Sequence, residues 1–298
     1  MSETKIFASC HNHSTYSDGV YTPEEMMDIA KGLGHGGFIL TDHDTVRGTY
    51  FAVRAARERG MKSMLGCEFS TYHEGEGVHL LGFDFNPDNK KMQELLAFAS
   101  GCQTNRTRLM FKWGQERGTL SKEISWQDVL DDHPYHDYFC NNQVFESFLK
   151  RGIYKREDYQ HVFLLPNFSY KLGLEDRVKE ELGYAYSDIQ TVDVIKTILA
   201  AEGVPIVAHP VNQAKFADAF VEAGAMGFEC VHPSLGRAGQ MEYFKEYCEK
   251  RGLYKMGGAD HSSVIGGYIQ DDPKYDCPAE YIGISEEDFM TIYERRLG

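Results

Sequence analysis

An apolar run that ends in two histidines opens the chain, where residues 6–13 read IFASCHNH. Side chains alternate between the two faces of an extended strand, so His11 and His13 point in the same direction. Asp18 follows five positions after His13. Two imidazoles at the end of a strand, with a carboxylate close behind them in the sequence, can bind a divalent metal ion. We therefore predict the first part of a metal site here.

The same pattern recurs after later apolar stretches. Short apolar runs at 38–41, 64–67, 204–208 and 255–259 are each followed by a histidine or an acidic residue. Together with His79, the residues at these positions are Asp42, His43, Glu68, His209, Asp260 and His261. In parallel α/β folds, sites are built at the carboxyl ends of the strands. So many imidazoles and carboxylates would repel one another or stay unsatisfied without cations, which predicts a centre with more than one metal ion.

The order of the predicted elements indicates an α/β fold. Up to residue 117, apolar strand-like runs alternate with amphipathic segments, and Thr22, Pro23 and Glu25 mark a helix start with a capping box. This rhythm stops at 118–190, a polar and aromatic stretch, and resumes at 191. We predict one barrel-like domain of residues 1–117 and 191–298, and a helical insertion at 118–190 that caps the carboxyl-end face of the strands.

Composition narrows the functional classes. The 298 residues carry a formal net charge of −14 at pH 7, which argues against binding long duplex nucleic acid by phosphate neutralisation. No apolar run reaches about 18 residues and no signal peptide is recognisable, so we expect no membrane segment and no export. The seven cysteines are scattered without a CxxC pair, which favours reduced thiols in a cytoplasmic protein. The oligomeric state stays open.

The ligand types are imidazole and carboxylate, without thiolate. This set suits Mn²⁺, Fe²⁺ or Zn²⁺ and does not choose among them. Cys10 and Cys67 lie next to proposed ligands, but alternation turns them away, so we expect both to be core thiols. The open coordination positions would activate a water, and a pair of ions could hold the attacking and leaving oxygens of a phosphoester. We predict two or three divalent ions.

At the level of motifs, the chain resembles the PHP family (polymerase and histidinol phosphatase domain) of the amidohydrolase-like superfamily. The matching motifs, in the family's order, are HNHS at 11–14, SDG at 17–19, TDHD at 41–44, GCE at 66–68, His79, AHP at 208–210 and GAD at 258–260. The resemblance implies a distorted (β/α)7 barrel with a binuclear or trinuclear site. It also implies three ligand sets: His11, His13, Glu68 and Asp260; Glu68, His79 and His209; and Asp18, His43 and a last histidine.

Two stretches depart from the pattern of that family. The family usually has Asp-x-His after the final strand, whereas Asp260 and His261 are adjacent here and Ser262 stands at the expected histidine position. Either the loop bulges so that His261 still reaches the third ion, or that ion is weakened or absent. The small-nucleotide subgroup often has Arg-Pro-His before a helix of its insertion, where this chain has CNNQ at 140–143. We therefore expect a phosphate-contacting arginine and histidine to be missing.

Candidates for substrate contacts lie outside the ligand motifs. Asn105 and Arg106 follow the His79 strand on a long predicted helix, from which an arginine could reach a phosphate; an ordinary solvated helix face is the alternative. His232 follows the strand at 227–231, and either His232 or His43 could assist proton transfer. The aromatic residues of the insertion either line a lid that stacks on a base or stabilise the insertion itself.

The sequence thus predicts a metal-dependent phosphoesterase that hydrolyses a small phosphorylated metabolite or nucleotide with a metal-activated water. One alternative is a hydrolase of an amide or lactone that uses the same water on a carbonyl, which the loss of Arg-Pro-His favours. A non-catalytic PHP module is a further alternative, but a decayed site would have lost several of the ligand positions that are filled here.

Overall fold

The first quarter of the chain contains two short strands, each followed by a helix. The computed structural model describes residues 6–159, 162, 174–262 and 278–295. Its first elements are β1 (Ala8–Ser9), α1 (Pro23–Gly32), β2 (Gly37–Phe38) and α2 (Arg47–Glu58). The capping box predicted at the start of α1 is confirmed, because Thr22 and Glu25 satisfy each other's backbone N–H groups. Within the apolar run at 6–13, the strand comprises only two residues.

An antiparallel hairpin follows, so these two strands depart from the parallel arrangement that alternating strands and helices usually form. Strand β3 (Gly66–His73) pairs with β4 (Glu76–Phe83) in antiparallel register, with Ser70 opposite His79. Only Glu74 and Gly75 separate the two strands, and both have positive φ. A parallel neighbour would need a crossover of a dozen residues or more, so this connection permits only a hairpin.

Helices dominate the middle of the chain. They are α3 (Lys90–Arg117), α4 (Trp126–Asp132), α5 (Asn141–Lys150) and α6 (Leu174–Leu182). The second half of α3 contributes Leu109 and Trp113 to an apolar cluster that it shares with Val144 and Phe148 of α5. The first half contributes Met92 and other residues to the main core. Helix α3 therefore belongs to both cores and ties the insertion to the rest of the protein.

Strand and helix alternate again after residue 190. The elements are α7 (Thr191–Ala200), β5 (Val204–Val207), α8 (Ala217–Ala223), β6 (Gly227–Val231), α9 (Pro233–Ala238), α10 (Met241–Arg251), β7 (Tyr254–Gly257) and α11 (Glu286–Arg295). Two helices follow β6, because Gly239 takes a left-handed conformation at φ 67° and ends α9 before α10 begins.

The strands form two sheets. Strands β1 and β2 are parallel, and the larger sheet has the order β3-β4-β5-β6-β7, in which β4 is antiparallel to both neighbours and β5, β6 and β7 are parallel. Isolated bridges connect the two sheets, from Asn12 to Asp260 and from His43 to Glu68. Neither sheet closes on itself in the described part of the chain. The fold is thus mixed α/β with open sheets.

An apolar core fills the space between the two sheets. Ala8 and Cys10 from the β1 segment pack with Leu81, Ile206 and Met256 of the larger sheet. Cys67 is also fully buried, so both cysteines are core thiols as predicted, and burial raises the pKa of each. Within the residues that the structure describes, no helix combines the length and apolar character needed to cross a membrane.

Candidate metal centre

The segments that bridge the two sheets gather the predicted ligands. The backbone N–H of Asp260 donates to the carbonyl of His11 at 2.8 Å, and the N–H of Glu68 donates to the carbonyl of Asp42 at 3.2 Å. Gly258 makes the first approach possible, because a Cβ there would lie 2.3 Å from the backbone nitrogen of His11. Residues distant in sequence are therefore fixed side by side through their backbones.

Glu68 is the centre of this arrangement and is almost completely buried. Its Oε2 atom lies 3.1 Å from Nε2 of His11, 3.1 Å from Nε2 of His13 and 3.2 Å from Nδ1 of His43. None of the three contacts has hydrogen-bond geometry, and among the described residues Oε2 has no hydrogen-bond partner. Ligand atoms that share one ion at about 2.1 Å are themselves about 3 Å apart, so these spacings suit a common cation.

The second oxygen of Glu68 faces the open side of the centre. Its Oε1 atom lies 2.9 Å from Nδ1 of His79 and 3.2 Å from Nε2 of His209. The hairpin explains the position of His79: it pairs with Ser70, two residues along β3 from Glu68 and on the same face. The side chains of His79 and His209 are 35% and 24% exposed, so solvent reaches the centre from this side.

Asp18 and His261 lie together at a third corner. Ligand atoms of His13, Asp18, His43 and His261 lie within 4.8 Å of one another, and Nε2 of His261 is 3.1 Å from Oδ2 of Asp18. Asp260 takes a left-handed conformation with φ 50°, and this turn carries the adjacent His261 onto the ring of His13, with ring centroids 4.6 Å apart. The missing residue of the Asp-x-His pattern thus does not separate His261 from the cluster.

Electrostatics also fit a bound cation. Burial raises the pKa of Glu68, but His11 and the other surrounding imidazoles outweigh this effect and hold it well below its ordinary value. Burial lowers the pKa of His13, yet Asp18 and the neighbouring carboxylates raise it to about 10. The carboxylates thus stay ionised and require positive charge, which protons supply in the absence of metal. Burial lowers the pKa of His43 to about 4, so its ring is neutral and can act as a ligand.

Sequence reasoning missed Glu229, which supports two of the histidines. Its Oε2 atom lies 3.1 Å from Nδ1 of His11 and accepts the backbone N–H of His209 at 2.7 Å. A carboxylate on the far nitrogen of an imidazole fixes the ring so that its other nitrogen faces the metal. The available signal was a fully buried acidic residue in the otherwise apolar strand GFECV at 227–231.

Asp42 lies in the TDHD motif at 41–44, but its carboxylate binds a neighbouring loop and is not part of the metal centre. It accepts hydrogen bonds from the backbone N–H and the hydroxyl of Ser14 and from the hydroxyl of Ser17, all at 2.7 Å. These contacts fix residues 14–19, the loop that carries Asp18. Gly19 is required in this loop because a Cβ there would lie 2.0 Å from the carbonyl oxygen of His13.

Of the other predicted functional residues, His232 lies at the centre, whereas Asn105 and Arg106 contact the insertion. His232 is buried, with Nδ1 accepting the N–H of Ser234 at 3.1 Å and Nε2 at 3.4 Å from Oδ2 of Asp260. Asn105 donates to the hydroxyl of Tyr184 at 2.8 Å. Arg106 forms an ion pair with Glu175 at 3.5 Å, so its guanidinium is directed to the insertion.

A cavity of about 1140 Å³ lies between α2, α3 and the insertion. Its lining includes Asp137 of the insertion, and also Tyr16 and Asp44, which lie within two residues of Asp18 and His43 in the chain. Tyr138, the residue after Asp137, stacks on His43 with ring centroids 6.4 Å apart. The cavity wall is aromatic: Tyr16 stacks on Phe51 at 5.7 Å, and Tyr50 and Tyr135 are exposed beside them.

Comparison with known proteins defines the class. The model of the PHP domain matches residues 9–189, which is more than half of the chain, and the chain therefore belongs to the PHP domain family. A 5′-3′ exoribonuclease of Haemophilus influenzae is 30% identical over 68% of both chains. A 3′,5′-nucleoside bisphosphate phosphatase of Chromobacterium violaceum is 25% identical and covers 86% of this chain and 88% of its own.

Solved structures share the fold. A protein of Bifidobacterium adolescentis assigned as a metal-dependent phosphoesterase superposes with a TM-score of 0.74 at 24% identity, over 97% of this chain and 96% of its own. An amidohydrolase of Chromobacterium violaceum, with bound sulfate and no metal, gives a TM-score of 0.65 at 21% identity, over 94% and 90%. Taken with the family match and the curated relatives, the predictions of PHP membership and of a phosphoesterase are confirmed.

Proposed function

We propose that the protein is a divalent-metal phosphoesterase whose substrate is a small nucleoside phosphate. The observation that supports it most strongly is the buried carboxylate of Glu68, which faces five imidazoles with its two oxygens. When bound, the ions lower the pKa of a water and neutralise charge that develops on the phosphoryl group. The residues of the protein itself bind the ions, position the substrate and donate the proton.

We assign the ligands in three sets. They are His11, His13, Glu68 and Asp260; Glu68, His79 and His209; and Asp18, His43 and His261. Shared use of Glu68 supports a connected centre of two or three ions. Imidazole and carboxylate ligands admit Mn²⁺, Fe²⁺ or Zn²⁺.

His232 is the side chain best placed to donate a proton to the leaving oxygen. Its Nδ1 accepts a backbone N–H, so in the neutral ring Nε2 carries the proton, and this atom is directed at Asp260 in the centre. Both nitrogens of His43 face carboxylates, Nδ1 facing Glu68 and Nε2 facing Asp18 at 3.7 Å. We therefore give His43 the role of ligand and His232 that of proton donor.

The aromatic cavity favours a substrate that contains a nucleobase. Tyr16 stacks on both Phe51 and His136, whereas Tyr50, Phe51 and Tyr135 are exposed in the cavity, and exposed aromatic rings bind bases by stacking regardless of base identity. A sugar phosphate without a base would leave these exposed rings uncovered. The volume also exceeds the usual upper range for small-ligand pockets, about 1,000 Å³, so a short 5′-phosphorylated oligonucleotide is a second candidate substrate.

The division of the chain and its barrel are part of the same proposal. We infer that residues 118–190 form a cap, because α5 lies over the loop that carries Asp18. We also infer that the two sheets act together as a distorted seven-stranded barrel. The bridges from Asn12 to Asp260 and from His43 to Glu68 support this inference, since each joins an end of the larger sheet to the segments after β1 and β2.

Phosphate release from a panel of esters tests the proposal. The purified protein, supplied with Mn²⁺ and with a chelator as control, is offered nucleoside monophosphates and bisphosphates, a 5′-phosphorylated trinucleotide and phosphorylated sugars. We expect chelator-sensitive release from the nucleoside esters and little from the sugars. Equal rates on all esters would contradict the nucleobase assignment, and no release by a metal-loaded protein would contradict the function.

A further inference from the structure

We propose that Asn142 and Gln143, two buried amides of the cap, position the loop that carries Asp18 and thereby make the third metal site competent. They lie in the CNNQ stretch at 140–143, where Arg-Pro-His is missing. The inference rests on the proposed function only in assuming that an ion binds between Asp18, His43 and His261. It assigns positioning residues, since neither amide contacts the ligand atoms themselves.

Gln143 is completely buried and uses both ends of its amide. Its Nε2 donates to the carbonyl oxygens of Thr15 and Ser17, at 3.0 and 2.6 Å. Its Oε1 accepts the backbone N–H of Cys140 at 2.8 Å, which fixes the orientation of the amide at the start of α5. One side chain of the cap thus satisfies two carbonyls of the loop at 14–19.

Asn142 acts on the ligand residue directly. Its Nδ2 donates to the backbone carbonyl of Asp18 at 2.5 Å, and its Oδ1 accepts the hydroxyl of Tyr159 at 2.5 Å. Asn142 is 2% exposed, so the contact is shielded from water. Three hydrogen bonds to the loop, at the carbonyls of Thr15, Ser17 and Asp18, therefore come from two adjacent residues of the cap.

The carbonyl of Thr15 also accepts Nε2 of His136 at 2.8 Å, so the loop depends on the two amides chiefly at the carbonyls of Ser17 and Asp18. Residues 14–19 belong to neither a strand nor a helix, and Asp42 holds them from the other side through N–H and hydroxyl groups. A buried carbonyl without a donor is costly, so loss of the amides would let the loop turn its carbonyls towards water. The Asp18 carboxylate, 3.1 Å from His261, would then leave the cluster.

Metal binding to Gln143→Met tests the inference, since methionine keeps the length of the side chain and removes both donors. Mn²⁺ affinity and stoichiometry are measured for the native chain, Gln143→Met, Asp18→Asn and the double variant. We expect each single change to lower the affinity for the same single ion by about tenfold or more. The double variant should lose no further ion. Gln127→Met, which alters an exposed amide of α4, should bind metal as the native chain does.

Several outcomes separate this inference from the proposed function. Native affinity for all ions in Gln143→Met, or a native chain that binds no third ion, would overturn the inference and leave the function standing. Three ions in a native chain that hydrolyses no ester would overturn the function only. If Gln143→Met does not fold, Tyr159→Phe removes one supporting bond of Asn142; it should weaken the third ion at unchanged circular dichroism, and equal weakening of every ion would contradict the proposal.

Discussion

The metal centre and the cap differ in the hydrogen bonding of their buried polar groups. In the centre, imidazoles and carboxylates converge on each other and leave buried atoms such as Glu68 Oε2 without a hydrogen bond. In the cap, the amides of Asn142 and Gln143 find donors and acceptors for both ends. Buried ligand atoms that converge without hydrogen bonds are typical of a site that binds a cation. Buried amides whose donors and acceptors all have partners are typical of a structural support. The following predictions test this difference.

The largest effect is expected for Glu68→Ala. The change removes the carboxylate that faces five imidazoles, so both tight metal binding and phosphate release should be lost, the latter by about a thousandfold or more. Metal analysis and steady-state kinetics measure the two losses. Glu76→Ala, in the same hairpin but paired with Lys215 at the surface, is the matched control and should retain both properties.

Glu229→Gln tests the support beneath the centre. The neutral amide keeps the shape of the side chain but weakens the hydrogen bonds with Nδ1 of His11 and with the backbone N–H of His209. His209 has a backbone φ of 27°. We expect metal affinity to fall roughly tenfold to a hundredfold. Isothermal titration with Mn²⁺ checks this value, and unchanged affinity would show that Glu229 is only a buried core acid. Glu242→Gln at the surface of α10 is the control.

Phe51→Ala tests the aromatic cavity. Loss of one stacking face should raise KM for a nucleoside ester about tenfold and leave kcat and metal content nearly unchanged. The KM for a phosphorylated sugar should not move. Phe98→Ala removes an exposed ring of α3 outside this cavity and should behave as the native chain does. An equal change for both substrates would argue against a base site.

The smallest effect is expected for Arg106→Ala. Its guanidinium pairs with Glu175 of the insertion in a partly exposed ion pair, and such pairs contribute about 1 kcal/mol or less. We expect kcat/KM within about threefold of the native value and a slight fall in thermal stability. A fall of a hundredfold in kcat/KM would instead support the sequence-based prediction that Arg106 contacts phosphate.

The sequence was most informative where backbone geometry alone fixes a side chain. His11 and His13 share a face because strands alternate, and apolar runs marked the chain segments that end at the centre. The hairpin of β3 and β4 was also predictable, since Glu74-Gly75 is too short a connection for a parallel crossover. The alternation of strands and helices alone favours parallel strands, and this short connection is the exception.

Other features depend on contacts between distant segments and could not be read from local patterns. Glu229 lies 218 residues from His11, and Gln143 lies 126 from Ser17. The approach of Asp260 and His261 depends on a left-handed residue that no local signal required. The sequence therefore predicted histidines and acidic residues that the structure brings together, and it did not predict the residues that support them.

Metal content measured together with hydrolysis tests the central claim most directly. The native chain is purified without added metal, equilibrated with Mn²⁺, analysed for bound ions and assayed on a nucleoside bisphosphate before and after chelation. Our account predicts two or three ions per chain, with activity lost on chelation and restored by Mn²⁺. A protein that hydrolyses the ester equally well when stripped of metal, or that binds no divalent ion at all, would contradict it.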